Sequence, residues 1–421
     1  MLINNGETTL RIFGTRGSSA AYAIRDFLHR CGVPFQWKEL SNDEEARALA
    51  QVTGLDDLRL PICVFSDGSR LEHPTVQQVS ERLGLFRNPS RSEYDLAIYG
   101  AGPAGLSAAV YGASEGLRTV VVERFAVGGQ AASSPRIENY LGFPQGVTGA
   151  ELAERALEQA TKFGAEILLL REGVRAEFST GKGVGYLSDG TKIVARASIC
   201  STGIEYRRLN LPNEDHFHGA GLYYGAGASE ASFCSQTDHV FVVGGGNSAA
   251  QAAIHFARYA GHVTMVVRDH SLKNTVSQYL VDRIRSSSKI EVLLRTQVVA
   301  LHGDNSLTAI TLRHDETGRE WTAETRWLFL CLGGLPHTQW AEEVGIIRDE
   351  AGYLVTGPDL MKNGHPPENW PLDRDPYYME TNVPGIFAAG DVRHGSVKRC
   401  ASAVGEGAMA VTFAYRYVTG S

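Results

Sequence analysis

A glycine-rich turn stands in the run YDLAIYGAGPAGLSAAVYGASEGLRTVVVER, residues 94–124. An apolar stretch typical of a strand precedes it, and a stretch typical of a helix follows. Glycines spaced as G-x-G-x-x-G allow a tight turn and let a pyrophosphate approach the backbone at the helix N-terminus. Glu123 ends the second apolar stretch, and Arg124 follows it. In folds of this kind a carboxylate at this position binds an adenosine ribose. The predicted dinucleotide-binding residues of this turn are Gly100, Gly102, Pro103, Ala104 and Gly105.

A second turn of this kind lies in DHVFVVGGGNSAAQAAIHFARYAGHVTMVVRD, residues 238–269. Its second strand ends without an acidic residue, at Arg268, and Lys273 follows. Basic side chains at this point favour the 2′-phosphate of NADPH over NADH, unless they are ordinary solvated charges. Asp269 would offset part of the attraction from Arg268. The predicted residues of this second turn are Gly244, Gly246, Asn247 and Ser248.

A third glycine-containing segment, METNVPGIFAAGDVRHGSVKRCASAVGEGAMA, spans residues 379–410. With VGGQ (127–130), RIENYLGFP (136–144) and STGIEYRRLNLP (201–212), it makes residues 93–421 resemble the thioredoxin reductase branch of the pyridine nucleotide-disulfide oxidoreductases. The resemblance implies two cofactors, FAD and NADPH, and a homodimer. It also implies further FAD contacts, at Gly129, Gln130, Asn139, Val174, Thr202, Gly203, Gly390, Asp391, Lys398, Arg399 and Cys400.

These motifs require an α/β fold with two Rossmann-like dinucleotide-binding domains. By resemblance, the FAD-binding domain comprises residues 89–212 and 328–421. The NAD(P)H-binding-like domain, residues 213–327, is inserted into it and able to rotate against it. The length of 421 residues and the apolar content of 43% suffice for such domains.

The first 88 residues form a separate α/β unit by their own pattern. Strands and helices alternate, and a hairpin is expected to turn at Asp67-Gly68. The unit resembles the glutaredoxin/thioredoxin fold, in which a cis-proline, here Pro61, precedes the hairpin. Ser18 and Ala21 stand where that family has its C-x-x-C. Disulfide exchange by this unit is therefore not expected, and a docking or structural role is.

The six cysteines are too dispersed for a redox pair or a zinc site, since no two lie closer than 32 positions. This usage predicts a reducing, cytoplasmic setting. His216 and His218 are read as a polar surface loop, so no metal site is predicted. The net charge of −7 indicates no nucleic acid partner, and glycines interrupt the longest uncharged stretch, 96–114, so no membrane span is predicted.

The loop YYGAGASEASFC, residues 223–234, precedes the second turn, where thioredoxin reductases carry their C-x-x-C. An ungapped alignment places Gly225 and Ala228 at the two cysteine positions, so a relay through that dithiol cannot operate. Without the dithiol, one face of the flavin would be uncovered. Tyr223 and Tyr224 either line that open face or only pack beside the flavin.

Catalytic candidates are therefore weak. Tyr224 is one candidate, and Cys400, at a helix N-terminus, is the other. Cys400 is either a reactive thiolate or only a small buried residue in a tight site. Cys200 and Cys331 are expected in the core. Glu230 and His394 are expected to be exposed.

The sequence thus predicts an FAD-dependent oxidoreductase that passes electrons from NADPH, or another donor, to a non-thioredoxin acceptor. That acceptor could be oxygen, a small molecule or a redox protein. Two alternatives stay open: a flavin-binding redox sensor or scaffold without turnover, and an oxidase of a small metabolite that uses FAD alone.

Overall fold

The structure, a computed structural model, describes residues 10–179, 181–227, 230–273 and 275–420. An N-terminal unit contains a four-stranded sheet of order β2-β1-β3-β4, with β1 and β2 parallel and the other pairs antiparallel. Its elements are β1 Leu10–Gly14, α1 Ser19–Arg30, β2 Phe35–Glu39, α2 Asp43–Glu45, β3 Ile62–Phe65, β4 Arg70–Glu72 and α3 Val76–Arg82.

The order of elements in this unit agrees with the sequence pattern. Ser18 caps α1, its hydroxyl accepting from the Ala21 amide at 3.1 Å, and the peptide bond before Pro61 is cis. Helix α2 continues into one further helical turn, Ala46–Ala50, and that turn ends at Gln51, which has a left-handed conformation (φ 55°).

The next sheet belongs to the segment of the first glycine turn and runs in the order β7-β6-β5-β10-β9-β8, with β21 also paired to β10. The parallel strands β5, β6 and β10 place their carboxyl ends together, where the turns emerge. Its elements are β5 Tyr94–Tyr99, α4 Pro103–Ser114, β6 Thr119–Val122, α5 Gly149–Lys162, β7 Glu166–Leu168, β8 Gly173–Ser179, β9 Lys182–Leu187, β10 Lys192–Cys200, β21 Ile386–Ala388 and α10 Cys400–Thr419.

A second parallel sheet, of order β12-β19-β13-β14-β15, carries the second glycine turn. Its strand β19 pairs with both β12 and β13. Most of β19 falls within residues 328–421, which the sequence assigned to the FAD-binding domain. The second domain therefore extends through Leu330. Its elements are α6 Glu214–Phe217, β12 Leu222–Tyr224, β13 His239–Val243, α7 Asn247–Phe256, β14 His262–Val267, α8 Gln278–Ser286, β15 Ile290–Leu294 and β19 Trp327–Leu330.

Smaller elements complete the fold. An antiparallel sheet of three strands flanks the second domain, and a two-stranded sheet, β11 with β20, joins the two connections between the domains. None of the described helices combines the length and apolar character needed to cross a membrane. These elements are β11 Glu205–Tyr206, β16 Thr296–Gly303, β17 Leu307–His314, β18 Glu320–Glu324, β20 Gly334–Leu335 and α9 Gln339–Glu343.

Helix α1 of the N-terminal unit lies against both dinucleotide-binding domains. Toward the first domain, the ring of Phe27 meets Phe125 edge-on at 5.7 Å, and the buried face of α1 shares one apolar core with α4 and α5. Toward the second domain, the Tyr22 ring lies 5.2 Å from that of Tyr223, and the Ser19 hydroxyl donates to the His218 carbonyl at 2.8 Å. The N-terminal unit is thus packed into the rest of the molecule.

Candidate active site between the two glycine turns

A cavity of about 1110 Å³ lies between the two dinucleotide-binding domains. Both glycine turns open onto it, so nucleotides held by the two turns would share one cavity. The predicted residues that line it are Gly100, Gly102, Pro103, Ala104, Glu123, Arg124, Gly129, Gln130, Asn139, Val174, Thr202, Gly203, Gly246, Asn247, Ser248, Gly390, Asp391, Lys398, Arg399 and Cys400.

Steric contacts show why the first turn needs glycine. A Cβ at Gly100, where φ is +103°, would lie 2.4 Å from the Ser201 carbonyl oxygen. A Cβ at Gly105 would lie 1.8 Å from the Gly100 carbonyl oxygen, so this residue packs the helix on the turn and does not line the cavity. A Cβ at Gly102 would meet no atom within 4 Å. Gly102 therefore leaves open space at the N-terminus of α4, where a pyrophosphate is bound in such folds.

Glu123 is held rigidly at the edge of the cavity. One carboxylate oxygen accepts from the Ala101 amide at 2.7 Å, and the other from the Phe125 amide at 2.9 Å. Burial raises the pKa of Glu123, and the two backbone hydrogen bonds oppose that shift. The carboxyl group keeps acceptor capacity toward the cavity, as a ribose hydroxyl requires.

The segment around Asp391 forms another wall of the cavity. Glu406 accepts from the Gly390 amide at 2.7 Å and pairs with Arg393 at 2.9 Å, which fixes the turn before α10. Burial raises the pKa of Asp391, against the opposing charge of Lys398. The Lys398 amine donates to the Asp391 backbone carbonyl at 2.7 Å. This wall combines a carboxyl group, an ammonium group and the N-terminus of α10.

The second turn is built in the same way as the first. A Cβ at Gly244 would lie 2.3 Å from the Cys331 carbonyl oxygen, so this glycine stands behind the cavity wall, and Gly246 precedes α7. Arg268 and Lys273 are exposed and lie outside the cavity wall. The Asp269 carboxylate lies 2.6 Å from the His270 imidazole, and no ion pair between it and Arg268 occurs among the described residues.

Cys400, the first residue of α10, does not have the thiolate character that its helix N-terminus suggested. Burial, and then the charge of Asp391, raise its pKa to about 11. Cys200 and Cys331 are buried as expected, but both also line the cavity. All six cysteines, every one within the described residues, are free. The described residues contain no group of three or more His, Cys, Asp or Glu that could hold a metal ion.

Comparison with known proteins agrees with this architecture. The family described as pyridine nucleotide-disulphide oxidoreductase matches residues 94–407. A thioredoxin reductase of Bacillus subtilis (strain 168) is 36% identical over 327 residues, which cover 77% of this chain and 95% of that protein. The chain belongs to this family, in its thioredoxin reductase-like branch. An NADPH-dependent thioredoxin reductase 3 of Arabidopsis thaliana is 32% identical over 366 residues, 83% of this chain and 65% of that protein.

Solved structures show the same fold. The thioredoxin reductase of Lactococcus lactis in its FR conformation superposes with a TM-score of 0.68 at 28% identity, covering 78% of this chain and all of that one. A thioredoxin reductase from T. acidophilum gives 0.67 at 30% identity, covering 77% and 98%. Each covers about the length of the two dinucleotide-binding domains.

The family uses FAD and NADPH, and the residues present fit both. Open space at Gly102, the fixed carboxyl group of Glu123 and the wall at Asp391 are the features that an adenine dinucleotide with a flavin requires. The second turn supplies a further helix N-terminus on the same cavity. The site therefore has room and donors for a flavin and for a nicotinamide.

The loop that the ungapped alignment places at the family's dithiol position is shaped by a glycine. Gly225 has φ +84°, and a Cβ there would lie 2.6 Å from the Tyr206 hydroxyl and 3.1 Å from the Ser133 hydroxyl. Those two hydroxyls are 3.4 Å apart. Ala228, the other aligned position, lies outside the described residues. A phenol and a serine hydroxyl thus surround the position where the alignment has a thiol.

The two tyrosines of this loop do not line the cavity. Tyr223 is 2% exposed and stacks on Phe329 at 5.1 Å inside the second domain. Tyr224 donates its hydroxyl to Glu214, and its ring lies 6.1 Å from that of Tyr206. The catalytic candidate Tyr224 therefore stands one residue back from the cavity wall, behind Tyr206.

Glu230, expected to be exposed, is 2% exposed instead. It lies where the N-terminal unit covers the second domain, close to Arg25 and Phe233. His394 is intermediate, with 43% of its side chain exposed and its ring 2.7 Å from Asp349. Residues of the N-terminal unit and of the second domain together surround Glu230, which its local sequence does not indicate.

Several residues of the cavity wall carried no sequence signal. Arg171 is fully buried behind the wall, with its guanidinium 2.5 Å from Asp189, and it also binds the linker carbonyl of Arg87 at 2.6 Å. Tyr206 belongs to a matched segment but was not singled out, and Arg30 comes from the N-terminal unit. None of the three lies in a glycine motif, so spacing alone could not identify them.

Proposed function

We propose that this protein is an FAD-dependent oxidoreductase that takes a hydride from NADPH and passes electrons to an acceptor other than a dithiol of its own. The observation that supports this best is the single cavity onto which both glycine turns open. The sequence contains no C-x-x-C, and the six cysteines are free and separated. We infer that NADPH is the donor from the similarity to thioredoxin reductases, one of which is described as NADPH-dependent.

The chain's own residues bind and orient the two nucleotides. The N-terminus of α4 beside Gly102 receives the FAD pyrophosphate, and Glu123 accepts from the adenosine ribose. The N-terminus of α7 beside Asn247 receives the second pyrophosphate, with Arg268 at the 2′-phosphate. FAD, when bound, accepts a hydride from a nicotinamide and releases electrons to an acceptor.

The acceptor that we infer is a small molecule or oxygen. A docked redox protein is less well supported, because residues beside the positions that would hold a redox pair contact the second domain. Ser19 and Tyr22, next to the positions aligned with that pair, contact the second domain. We infer that this unit is a glutaredoxin/thioredoxin-like domain with a structural role. Ser18, at the first aligned position, serves as a helix cap.

We further infer a homodimer, from the resemblance to thioredoxin reductases. The free thiols suit a reducing compartment such as the cytoplasm. The proposed electron transfer takes place within one cavity, so it does not depend on either of these inferences.

An anaerobic titration of the FAD-loaded protein tests the proposal. NADPH should bleach the oxidised flavin absorbance rapidly, and admission of air or a small acceptor should restore it. NADH should act more weakly. A flavin that dithionite reduces but neither nucleotide does would exclude the NADPH reaction. It would leave the FAD-only oxidase and the redox sensor.

A further inference from the structure

One residue of the N-terminal unit reaches the cavity. Among the described residues that line it, Arg30 alone precedes position 89, and it is the last residue of α1. Its Nη1 donates to the Gly129 carbonyl at 3.3 Å, within the segment VGGQ. Its side chain is 17% exposed. A unit outside the matched range 94–407 therefore supplies a guanidinium to the site.

Arg30 is fixed by a residue of its own helix and by an aromatic ring of the cavity wall. Its Nε lies 3.1 Å from the carboxylate of Asp26, one helical turn earlier, and its guanidinium lies 5.7 Å from the centre of the Phe125 ring. Burial opposes its charge, but Asp26 and then Tyr206 outweigh burial and raise the pKa. Asp26 thus neutralises most of the net charge, while the guanidinium keeps donor groups at the cavity.

Tyr206 and Ser133 lie at the same corner. The Ser133 hydroxyl donates to the Gln130 carbonyl at 2.8 Å and is 3.4 Å from the Tyr206 hydroxyl. Arg30 and Tyr206 both line the cavity, and Gly129, which accepts from Arg30, directly precedes Gln130, which accepts from Ser133. Burial raises the pKa of Tyr206, while the hydrogen bond with Ser133 and the charge of Arg30 oppose that shift. The corner is completed by Gly225, whose missing Cβ leaves the Tyr206 hydroxyl uncovered on that side.

The chemistry of this corner selects for oxygen acceptors. The guanidinium donates only, and a phenol with a raised pKa stays protonated and can donate. Ala226 and Cys331, which line the same cavity, add no charge, because burial raises the pKa of the Cys331 thiol to about 12. A compound that offers only donors meets the guanidinium without an oxygen to accept from it, and finds only neutral hydroxyl and carbonyl oxygens, such as those of Ser133 and Gln130.

We propose that Arg30 and Tyr206 form a subsite for a small acceptor that presents a carbonyl or carboxylate oxygen. The subsite deepens the proposed function, since its ligand would be the molecule reduced there, but its occupation needs no nicotinamide. The N-terminal unit then completes the site with Arg30, a residue that determines specificity, in the place where relatives align a dithiol.

Binding to the oxidised, FAD-loaded protein without nicotinamide tests the subsite. Benzoate, benzamide and benzylamine are each titrated while the flavin absorbance is followed. Benzoate and benzamide should perturb the spectrum with saturation, and benzylamine should not. A charge-dominated site would bind benzoate alone, which would restrict the subsite to carboxylates. Absence of perturbation by both oxygen-bearing compounds would overturn the proposal, whatever NADPH does to the flavin.

Variants connect the binding to these two residues. Tyr206→Phe removes one hydroxyl, and Arg30→Leu removes the guanidinium; each should weaken benzoate binding about tenfold or more. Arg155→Leu is the matched control, since Arg155 belongs to an exposed i,i+4 pair with Glu151 and lies outside the cavity wall. The affinity of Arg155→Leu for benzoate should equal that of the unsubstituted protein. A dissociation constant within about twofold of the parent in Tyr206→Phe would sink the subsite even if Arg30→Leu does not fold.

Discussion

A Cβ on Gly225 would lie 2.6 Å from the hydroxyl oxygen of Tyr206. That distance is too short for two such atoms, so the glycine and the tyrosine depend on one another. The backbone at Gly225, with φ +84°, adds a conformational requirement that side chains rarely meet. A cysteine at this position would have to displace Tyr206, a residue outside the loop.

Gly225→Ala should lower the free energy of unfolding by about 2–4 kcal/mol, because the positive φ and the Tyr206 contact both oppose a Cβ. The control is Gly190→Ala, which has φ +86° but open space around its Cβ, and which should lose only about 1 kcal/mol. Urea unfolding of the FAD-loaded proteins measures both. Equal losses in the free energy of unfolding would show that Tyr206 moves aside without cost and that its contact with the added Cβ does not destabilise the protein.

Local spacing was sufficient to predict the turn residues. Gly100 and Gly105 were predictable because a strand-turn-helix that binds a pyrophosphate leaves no room for side chains there. Contacts between distant segments were not predictable in the same way. Arg30 and Tyr206 meet only because α1 packs at the domain junction, and no local pattern encodes that packing. The burial of Glu230 has the same cause.

The environment of a side chain was predicted less well than its position. Cys400 was placed correctly at a helix N-terminus, whose dipole lowers a thiol pKa. Its burial beside Asp391 has the opposite and larger effect. Desolvation depends on which segments cover a residue, so it follows from tertiary structure and not from the helix alone.

The raised thiol pKa values predict slow alkylation of the native protein. With a pKa of about 11, Cys400 is thiolate in about one molecule in a thousand at pH 8, because a raised pKa favours the protonated form. Its iodoacetamide rate should rise about tenfold per pH unit between pH 8 and 10. In denaturant the rate should level off near pH 9, as for a free cysteine. Peptide mass spectrometry identifies the residue, and a plateau below pH 9 in the native protein would contradict the burial effect.

Arg268 should discriminate between the two nicotinamide nucleotides. Arg268→Ala should raise the dissociation constant of NADPH about fivefold and leave that of NADH nearly unchanged, since only NADPH has a 2′-phosphate for an exposed guanidinium. Arg258→Ala, another exposed arginine of the same domain, should change neither. Anaerobic flavin reduction at graded nucleotide concentrations gives the constants. Equal weakening of both nucleotides would assign Arg268 a structural role.

Helix α1 should restrict motion of the second domain. Tyr22→Ala removes the ring that contacts Tyr223 and His218 and that packs closely on Gly219. Opening of residues 216–223 should then become easier by about 1–3 kcal/mol, because a buried aromatic contact is lost. Hydrogen exchange followed by mass spectrometry measures the protection of this segment in the FAD-loaded protein.

The control for this restriction is Tyr259→Ala, which removes a tyrosine that is 38% exposed on the same domain, away from α1. It should leave exchange in residues 216–223 unchanged. Unchanged exchange in Tyr22→Ala as well would mean that the N-terminal unit rests on the second domain without holding it. If protection falls, α1 acts as a clamp between the two domains. A reaction within one cavity would then need no large rotation of the second domain, because no dithiol has to alternate with the nicotinamide at the flavin.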